Sequence, residues 1–170
     1  RGGARSLRLA IIGAGMAGIL SAIKLKEAGI TDFTVYEKAD RIGGTWRENT
    51  YPGISCDVPS HLYSYSFAPN PDWTHRFAPG AEIQAYFERV TRQYGIEKFI
   101  RLGDEVVHCA FNRGKWHLQT ARGKSDEVDV IIAATGAYFG VRTAMRALTV
   151  EEKAPIEERA LAVVALDLEP

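Results

Sequence analysis

Hydrophobic and polar positions follow three local patterns over the first forty residues. Leu7–Ile12 is an almost continuous apolar run that ends at a glycine, which predicts a buried parallel strand. Ala17–Ala28 carries apolar residues at helical spacing and stops at Gly29, which predicts an amphipathic helix. Phe33–Glu37 is rich in β-forming residues and predicts a second strand. The order is therefore strand, glycine turn, helix and strand.

The middle of the chain, residues 40–75, has no regular hydrophobic period. It is rich in glycine, proline and aromatic residues, which predicts irregular backbone, and a long ordered loop in a compact domain is usually functional. Tyr65 and Phe67 are separated by a serine, which favours one half-buried strand face for both side chains. A helix is predicted over Glu82–Tyr94, where apolar residues recur every three or four positions before Gly95.

Strand patterns dominate the next part of the chain. Glu105–Phe111 and Lys115–Thr120 flank Asn112-Arg113-Gly114, which is typical of a hairpin turn. Glu127–Thr135 predicts one further strand, and its apolar end is expected deep in a parallel sheet.

The last thirty residues change character. Thr143–Leu148 and Val150–Ala165 have helical patterns, whereas Leu161–Leu168 fits a strand equally well. We therefore predict a domain over residues 1–137 and a divergent tail over residues 138–170, for which the pattern favours helix.

Composition narrows the range of partners. Apolar residues make up 46% of the chain, charged residues 25%, and the formal net charge is zero, so nothing indicates a nucleic acid or a membrane surface as a partner. No apolar run approaches the roughly 20 residues of a membrane-spanning helix, and no signal peptide is recognised. Cys56 and Cys109 form no C-x-x-C pair and no metal spacing with the four histidines. We predict reduced thiols, no metal site and a cytoplasmic protein.

The turn between the first strand and helix is Gly13-Ala14-Gly15-Met16-Ala17-Gly18, which fits G-x-G-x-x-G. In this motif Gly13 permits a tight turn, Gly15 lets a pyrophosphate approach the backbone, and Gly18 lets helix and strand pack closely. The helix N-terminus favours phosphate. Glu37, at the end of the next strand, can accept a hydrogen bond from a ribose 2′-OH, and its charge argues against a 2′-phosphate and so against NADP at this site.

These elements predict an α/β fold, a Rossmann-like three-layer domain with a parallel sheet and a β-hairpin or meander insertion. The alternative is a glycine-rich turn in an unrelated α/β protein, which the context of strand, helix and acid disfavours. The turn alone does not choose between NAD and FAD.

The loop that follows adds chemistry to this turn. Gly43 and Gly44 allow the backbone to run close to a flat ring system, Thr45 offers a hydroxyl, and Trp46 offers a stacking face. Asp57 lies between Cys56 and Val58, an environment that we expect to shield its carboxylate. Trp46 as a plain loop anchor and Asp57 as an Asx turn or cap remain open as alternatives.

With these residues the chain resembles the N-terminal part of class B flavoprotein monooxygenases, above all the Baeyer–Villiger monooxygenases. The resemblance covers about residues 7–137, and its most specific part is Y-P-G-x-x-C-D following G-G-T-W. The matching motifs are G-A-G-M-A-G at 13–18, Glu37-Lys38, G-G-T-W at 43–46, Y-P-G-x-x-C-D at 51–57, Y-S-Y-S-F at 63–67, Trp73, E-I-Q-A-Y-F at 82–87 and A-A-T-G at 133–136.

The resemblance implies FAD as the cofactor and assigns its contacts. Asp57 is the implied catalytic residue, near the flavin ring, where the family's acid helps to position a catalytic arginine and the nicotinamide. The implied cofactor contacts, from pyrophosphate to adenosine to flavin, are Gly13, Gly15, Met16, Ala17, Gly18, Glu37, Lys38, Val106 through its backbone, Gly44, Thr45, Trp46, Asp57 and Tyr63, with Thr135 and Gly136 closing the sheet beside them.

The implied function is that of the FAD-binding portion of an NADPH-dependent flavin monooxygenase, which oxygenates a small-molecule ketone or a heteroatom. NADPH is expected for the family, yet the sequence contains no second G-x-G-x-x-G and departs from the family pattern after Ala137. The family's catalytic arginine has no counterpart here. We therefore expect a fragment that is poorly active alone, with self-association possible through an exposed sheet surface; one piece of a split enzyme is the other reading.

Two other functions stay open at this point. One is a module that holds FAD or another adenine dinucleotide without turnover. The other is a relative of amine oxidases or disulfide reductases, which share the first turn and the acid. These flavoproteins do not require Y-P-G-x-x-C-D, and the C-x-x-x-x-C redox pair of the reductases is missing.

Overall fold

A five-stranded parallel sheet forms the centre of the computed structural model, which describes residues 7–136 and 161–163. The strand order is β3-β2-β1-β7-β8, and each neighbouring pair is parallel. The strands are β1 (Leu9–Ile12), β2 (Phe33–Glu37), β3 (Ile100–Leu102), β7 (Val130–Ala133) and β8 (Leu161–Val163).

The helices connect and cover this sheet. The helix α1 (Met16–Glu27) joins β1 to β2. Ala28 is its C-cap, and the next residue, Gly29, has a φ of 78°, which suits glycine after a helix. There Ile30 N–H donates to Leu25 O at 2.9 Å, which closes the last turn. The other helical elements are α2 (Thr45–Glu48), α3 (Gly80–Gln93) and a three-residue 3₁₀ turn (Glu97–Phe99). No helix of the described residues is long and apolar enough to span a bilayer.

A second, three-stranded antiparallel sheet lies on the other face. Its order is β4-β5-β6, with β4 (Val106–Asn112), β5 (Lys115–Thr120) and β6 (Ser125–Val128). Because side chains alternate along a strand, Ile11 and Val35 pack toward α1 and α3, whereas Ala10 and Tyr36 pack toward the antiparallel sheet. Helices, parallel sheet and antiparallel sheet therefore form three layers, which confirms the predicted α/β architecture with its meander.

The single strand predicted over Glu127–Thr135 is wrong, because the chain changes sheets inside it. The backbone passes from β6 to β7 at Asp129. The side chain of Asp129 accepts a hydrogen bond from the backbone N–H of Arg8 at 3.0 Å. It also forms an ion pair with Lys115, whose Nζ lies 2.6 Å from the carboxylate. These partners hold the chain at the point where it leaves one sheet and joins the other.

Three further parts of the chain test the sequence-based expectations. Tyr65 and Phe67 lie in turns rather than on a strand, and their rings stack on each other with centroids 5.3 Å apart. The short strand Ile100–Leu102 was not predicted, since three residues carry no period. In the tail, Leu161–Val163 is a strand, which is one of the two alternatives left open for Leu161–Leu168. The helical patterns of Thr143–Leu148 and of residues 150–160 lie outside the described residues.

A polar cluster joins the two sheets. The guanidinium of Arg8 donates to both carboxylate oxygens of Asp126, at 3.0 and 2.6 Å, and Tyr36 Oη donates to Asp126 at 2.6 Å. Burial acts to raise the pKa of Asp126, but the hydrogen bonds from Arg8 and Tyr36 outweigh it and lower that pKa below its usual value. Burial, with the hydrogen bond to Asp126, raises the pKa of Tyr36 to about 12.

We predict that Asp126→Asn lowers the free energy of unfolding at pH 7 by about 1.5–3 kcal/mol, the usual worth of hydrogen bonds to a charged group. The lowered pKa of Asp126 contributes stability above the unfolded-state pKa of about 3.9, and this stability is lost as pH falls through the folded-state value. Urea unfolding of both proteins should therefore show a difference that shrinks below about pH 4.

The matched control is Glu27→Gln, which breaks the exposed ion pair between Lys24 and Glu27. It should cost less than about 1 kcal/mol at any pH. A difference for Asp126→Asn that stayed constant down to pH 2 would contradict the assigned role of the carboxylate.

Candidate functional site

The turn between β1 and α1 is packed so tightly that two of its glycines have no room for a side chain. A Cβ at Gly18 would overlap the carbonyl oxygen of Gly13, and a Cβ at Gly13 would lie 2.6 Å from the carbonyl oxygen of Ala134. The N–H of Gly13 also donates to Tyr36 O at 2.8 Å. These contacts bring turn, helix and sheet into backbone contact, as the motif predicts.

Gly15 differs from these two glycines. A Cβ at this position would meet only Gly44, at 3.6 Å from its Cα, which is an ordinary contact. Gly15 is the N-cap of α1, and the first N–H groups of any helix lack partners within it. In the described chain no side chain caps this end and the first helical turn contains no acid. The positive end of the helix is therefore available to an anion.

Glu37 lies beside this turn and is almost completely buried. Its Oε2 accepts the N–H of Ala14 at 2.8 Å, and its Oε1 accepts the N–H of Ala39 at 3.0 Å and Arg47 Nη1 at 3.0 Å. The predicted acid is therefore in place at the turn, but it is held by three groups of its own chain. Lys38 next to it is exposed.

The Gly43-Gly44 segment faces the first turn. Gly43 N–H donates to Ala14 O at 2.9 Å, and a Cβ at Gly44 would lie 3.1 Å from the Cα of Gly15. On the far side, Gln84 of α3 donates from Nε2 to Ile42 O at 2.9 Å, and its side chain occupies the place that a Cβ at Gly43 would need. The two glycine-rich segments thus face each other, and the buried side-chain amide of Gln84 packs against the Gly43-Gly44 segment on its opposite side.

Trp46 and Tyr63, both expected at the flavin, contact each other. Trp46 Nε1 donates to Tyr63 Oη at 2.9 Å, and the rings meet edge to face with centroids 5.7 Å apart. Burial raises the pKa of Tyr63, so its hydroxyl stays protonated at neutral pH. Thr45, immediately before Trp46, is exposed.

Tyr65 was not among the predicted site residues, yet it contacts the start of α1 directly after the first glycine turn. Its hydroxyl donates to Met16 O at 2.6 Å, and its N–H donates to the hydroxyl oxygen of Tyr86 at 2.8 Å. Burial raises the pKa of Tyr65 and keeps it a hydrogen-bond donor. Its only sequence signal is its place in Y-S-Y-S-F, since an alternating tyrosine fits a strand face equally well.

The environment expected for Asp57 is not observed, because Asp57 is exposed while its neighbour Cys56 is buried. The carboxylate of Asp57 is therefore not shielded from solvent. Burial raises the pKa of the Cys56 thiol, which makes it a poor nucleophile.

The remaining predicted residues lie at strand ends. Val106 is half-buried at the first position of β4, and Asp104 N–H, two residues earlier, donates to Glu37 O at 2.9 Å. Thr135 and Gly136 are exposed, with the buried Ala134 between them and the end of β7, and the Cα of Thr135 is 3.5 Å from the position of a Cβ on Gly13. No group of three metal-ligating side chains occurs within residues 7–136 and 161–163.

Comparisons with known proteins agree with this geometry. A family model described as an NAD(P)-binding Rossmann-like domain matches residues 11–78. A Baeyer-Villiger monooxygenase of Streptomyces coelicolor is 46% identical over 132 residues, 76% of this chain and 25% of the relative. The FAD-binding monooxygenase tazF of Aspergillus terreus is 42% identical over 140 residues, 78% of this chain and 25% of the relative. The structure of an oxidized steroid monooxygenase bound to NADP superposes with a TM-score of 0.73 at 32% identity, over 76% of this chain and 26% of that one.

Fold, glycine turns and buried acid are those of a Rossmann-like dinucleotide-binding domain. Within that class the chain matches the N-terminal, FAD-binding part of the Baeyer–Villiger monooxygenases, which confirms the resemblance found in the motifs. The chain spans about a quarter of the length of the curated relatives it matches.

The two kinds of glycine in the first turn should separate in stability measurements. Gly18→Ala should lower the free energy of unfolding by about 1–3 kcal/mol or more, because its Cβ overlaps the Gly13 carbonyl. Gly15→Ala meets only an ordinary contact and should stay within about 0.5 kcal/mol of the parent. Thermal and urea unfolding measure both. A stabilised Gly18→Ala variant, as helix propensity alone would give, would refute the close contact.

Proposed function

We propose that this chain binds FAD between its two glycine-rich segments. The observation that carries the proposal is the uncapped N-terminus of α1 at Gly15, opposite the backbone of Gly44 and next to the buried Glu37. Helix dipole and free N–H groups favour a pyrophosphate there, and the missing side chains at both glycines leave the backbone accessible. The described residues therefore fit the phosphate portion of a dinucleotide.

The other contacts of the proposed site follow from where the residues lie. Glu37, with Lys38 and the backbone of Val106, would hold the adenosine half, because all three lie near the carboxyl end of β2. The pyrophosphate would be held by Gly13, Gly15, Met16, Ala17 and Gly18. The flavin side would be bordered by Gly44, Thr45, Trp46, Asp57 and Tyr63, with Thr135 and Gly136 closing the sheet.

We propose the activity by analogy with the relatives. Bound FAD would supply the redox and oxygen chemistry, while residues of this chain bind and orient it and limit water access. Asp57 is exposed beside Tyr63, where it is free to contact a further group at the flavin edge. The reaction would be NADPH-dependent oxygenation of a small ketone or a heteroatom, with residues 1–137 as the FAD-binding part and residues 138–170 as a separate tail. The free cysteines Cys56 and Cys109 fit a reducing, cytoplasmic setting.

FAD uptake tests the core of the proposal. The purified chain should take up added FAD with a shift in the visible flavin absorbance, and Gly15→Ala should weaken the affinity at least tenfold by crowding the pyrophosphate. Gly29→Ala is the control at the opposite end of α1. Its left-handed φ should cost about 1 kcal/mol of stability, while the FAD affinity stays within twofold. A parent chain that takes up no FAD would overturn the proposal.

Turnover by the chain alone is a separate question. We expect the FAD-loaded chain not to oxidise a ketone with NADPH, because its sequence has one G-x-G-x-x-G turn and spans about a quarter of its relatives. The measurement is ketone-dependent NADPH consumption together with product analysis. Catalytic turnover would contradict this expectation, and FAD binding without it would fit both a portion of a monooxygenase and a non-catalytic FAD module.

A further inference from the structure

Arg47 follows G-G-T-W directly and is held more tightly than a surface arginine. Its side chain is only 8% exposed and forms an ion pair with the equally buried Glu37, Nη1 to Oε1, at 3.0 Å. The same Nη1 donates to Arg41 O at 2.6 Å, and Nη2 donates to Glu48 at 2.7 Å. The planar guanidinium thus spans the acid of β2 and the backbone that leads into Gly43.

The contacts of Glu37 leave little of its carboxylate for a ligand. An ionised carboxylate has about four acceptor positions. Ala39 and Arg47 occupy the two positions of Oε1, and Ala14 occupies one position of Oε2. One position remains, on the oxygen that already faces the phosphate-binding turn.

We propose that Arg47 is a positioning residue for recognition of the adenosine ribose. By holding Oε1 of Glu37, it directs Oε2 toward the site, where that oxygen accepts a hydrogen bond from one ribose hydroxyl and not from both. The inference rests on the proposed FAD site. It adds a specific consequence, namely that one of the two hydroxyls dominates ribose recognition.

The physical reason lies in the burial of the pair. A carboxylate removed from water needs a charge partner and saturated hydrogen bonds. Without the guanidinium, Oε1 would lose its charge partner and keep only the N–H of Ala39, so the carboxylate would gain freedom to rotate about its last torsion. The direction of Oε2 would then be set by the two backbone N–H groups of Ala14 and Ala39 alone, and the preference for one ribose hydroxyl would fall.

A purely structural Arg47 predicts a different result. Through Arg41 O the guanidinium also supports the segment before Gly43. If that support were its whole role, its loss would weaken every ligand of the site by the same factor. Ligands that differ in a single hydroxyl separate the two roles.

The experiment compares ADP, 2′-deoxy-ADP and 3′-deoxy-ADP by calorimetric titration against the 170-residue chain. One deoxy ligand should bind the parent at least tenfold more weakly than ADP, as expected for a lost hydrogen bond to a charged group, and the other should bind within about threefold. We call the dissociation constant of the weaker deoxy ligand divided by that of ADP the discrimination ratio. In Arg47→Met this ratio should fall below about threefold. Arg41→Met is the matched control, because only the backbone of Arg41 contacts Arg47, and it should keep the parent ratio.

Each result decides a separate claim. An unchanged ratio in Arg47→Met, with all three ligands weakened equally, would overturn the positioning role. If Arg47→Met does not fold, Arg47→Lys replaces it, because lysine keeps the charge but lacks the planar guanidinium. The ratio of the two dissociation constants should then fall at least threefold from that of the parent. An unchanged ratio in Arg47→Lys also overturns the positioning role. A parent that binds ADP without discriminating either deoxy ligand overturns the inference and leaves the FAD site intact. A parent that binds neither FAD nor ADP overturns the proposed function itself.

Discussion

The buried carboxylate of Glu37 is the interaction on which the site depends. It accepts hydrogen bonds from Ala14 in the first glycine turn, from Ala39 after β2 and from Arg47 after the second glycine segment. One ion therefore fixes three chain segments that are separate in sequence. Because a buried charge is costly without partners, each of these groups is needed by the others, and the glycine turns are held face to face.

The same principle organises the layers. Arg8, Asp126 and Tyr36 form a second polar cluster, which fastens the antiparallel sheet to the parallel one at an otherwise apolar interface. The loop that carries Tyr65 is attached in a similar way, since the hydroxyl of Tyr65 donates to Met16 O in the first turn of α1. Apolar burial holds the layers together, and these few directional contacts determine how they are aligned.

Local patterns predicted the elements whose signal is complete within a few residues. Phe33–Glu37 was predicted with the bounds that the structure has, because β-forming residues fill it and turns flank it. The division of Glu127–Thr135 was missed because it depends on Asp129 meeting Arg8, 121 positions earlier in the chain. The ion pair of Arg47 with Glu37 was missed for the same reason, since the two side chains meet only when the loop folds back.

By itself the sequence determined the α/β order of elements, the two glycine segments, the acid at the end of β2 and the relationship to Baeyer–Villiger monooxygenases. These are properties of residue type and spacing, which short-range sterics translate directly into a tight glycine turn at the start of a helix. Only the tertiary structure decided that Gly18 is required by packing and Gly15 is not. It also decided that Glu37 is nearly saturated and that Asp57 is exposed, because burial and hydrogen-bond partners are set by distant segments.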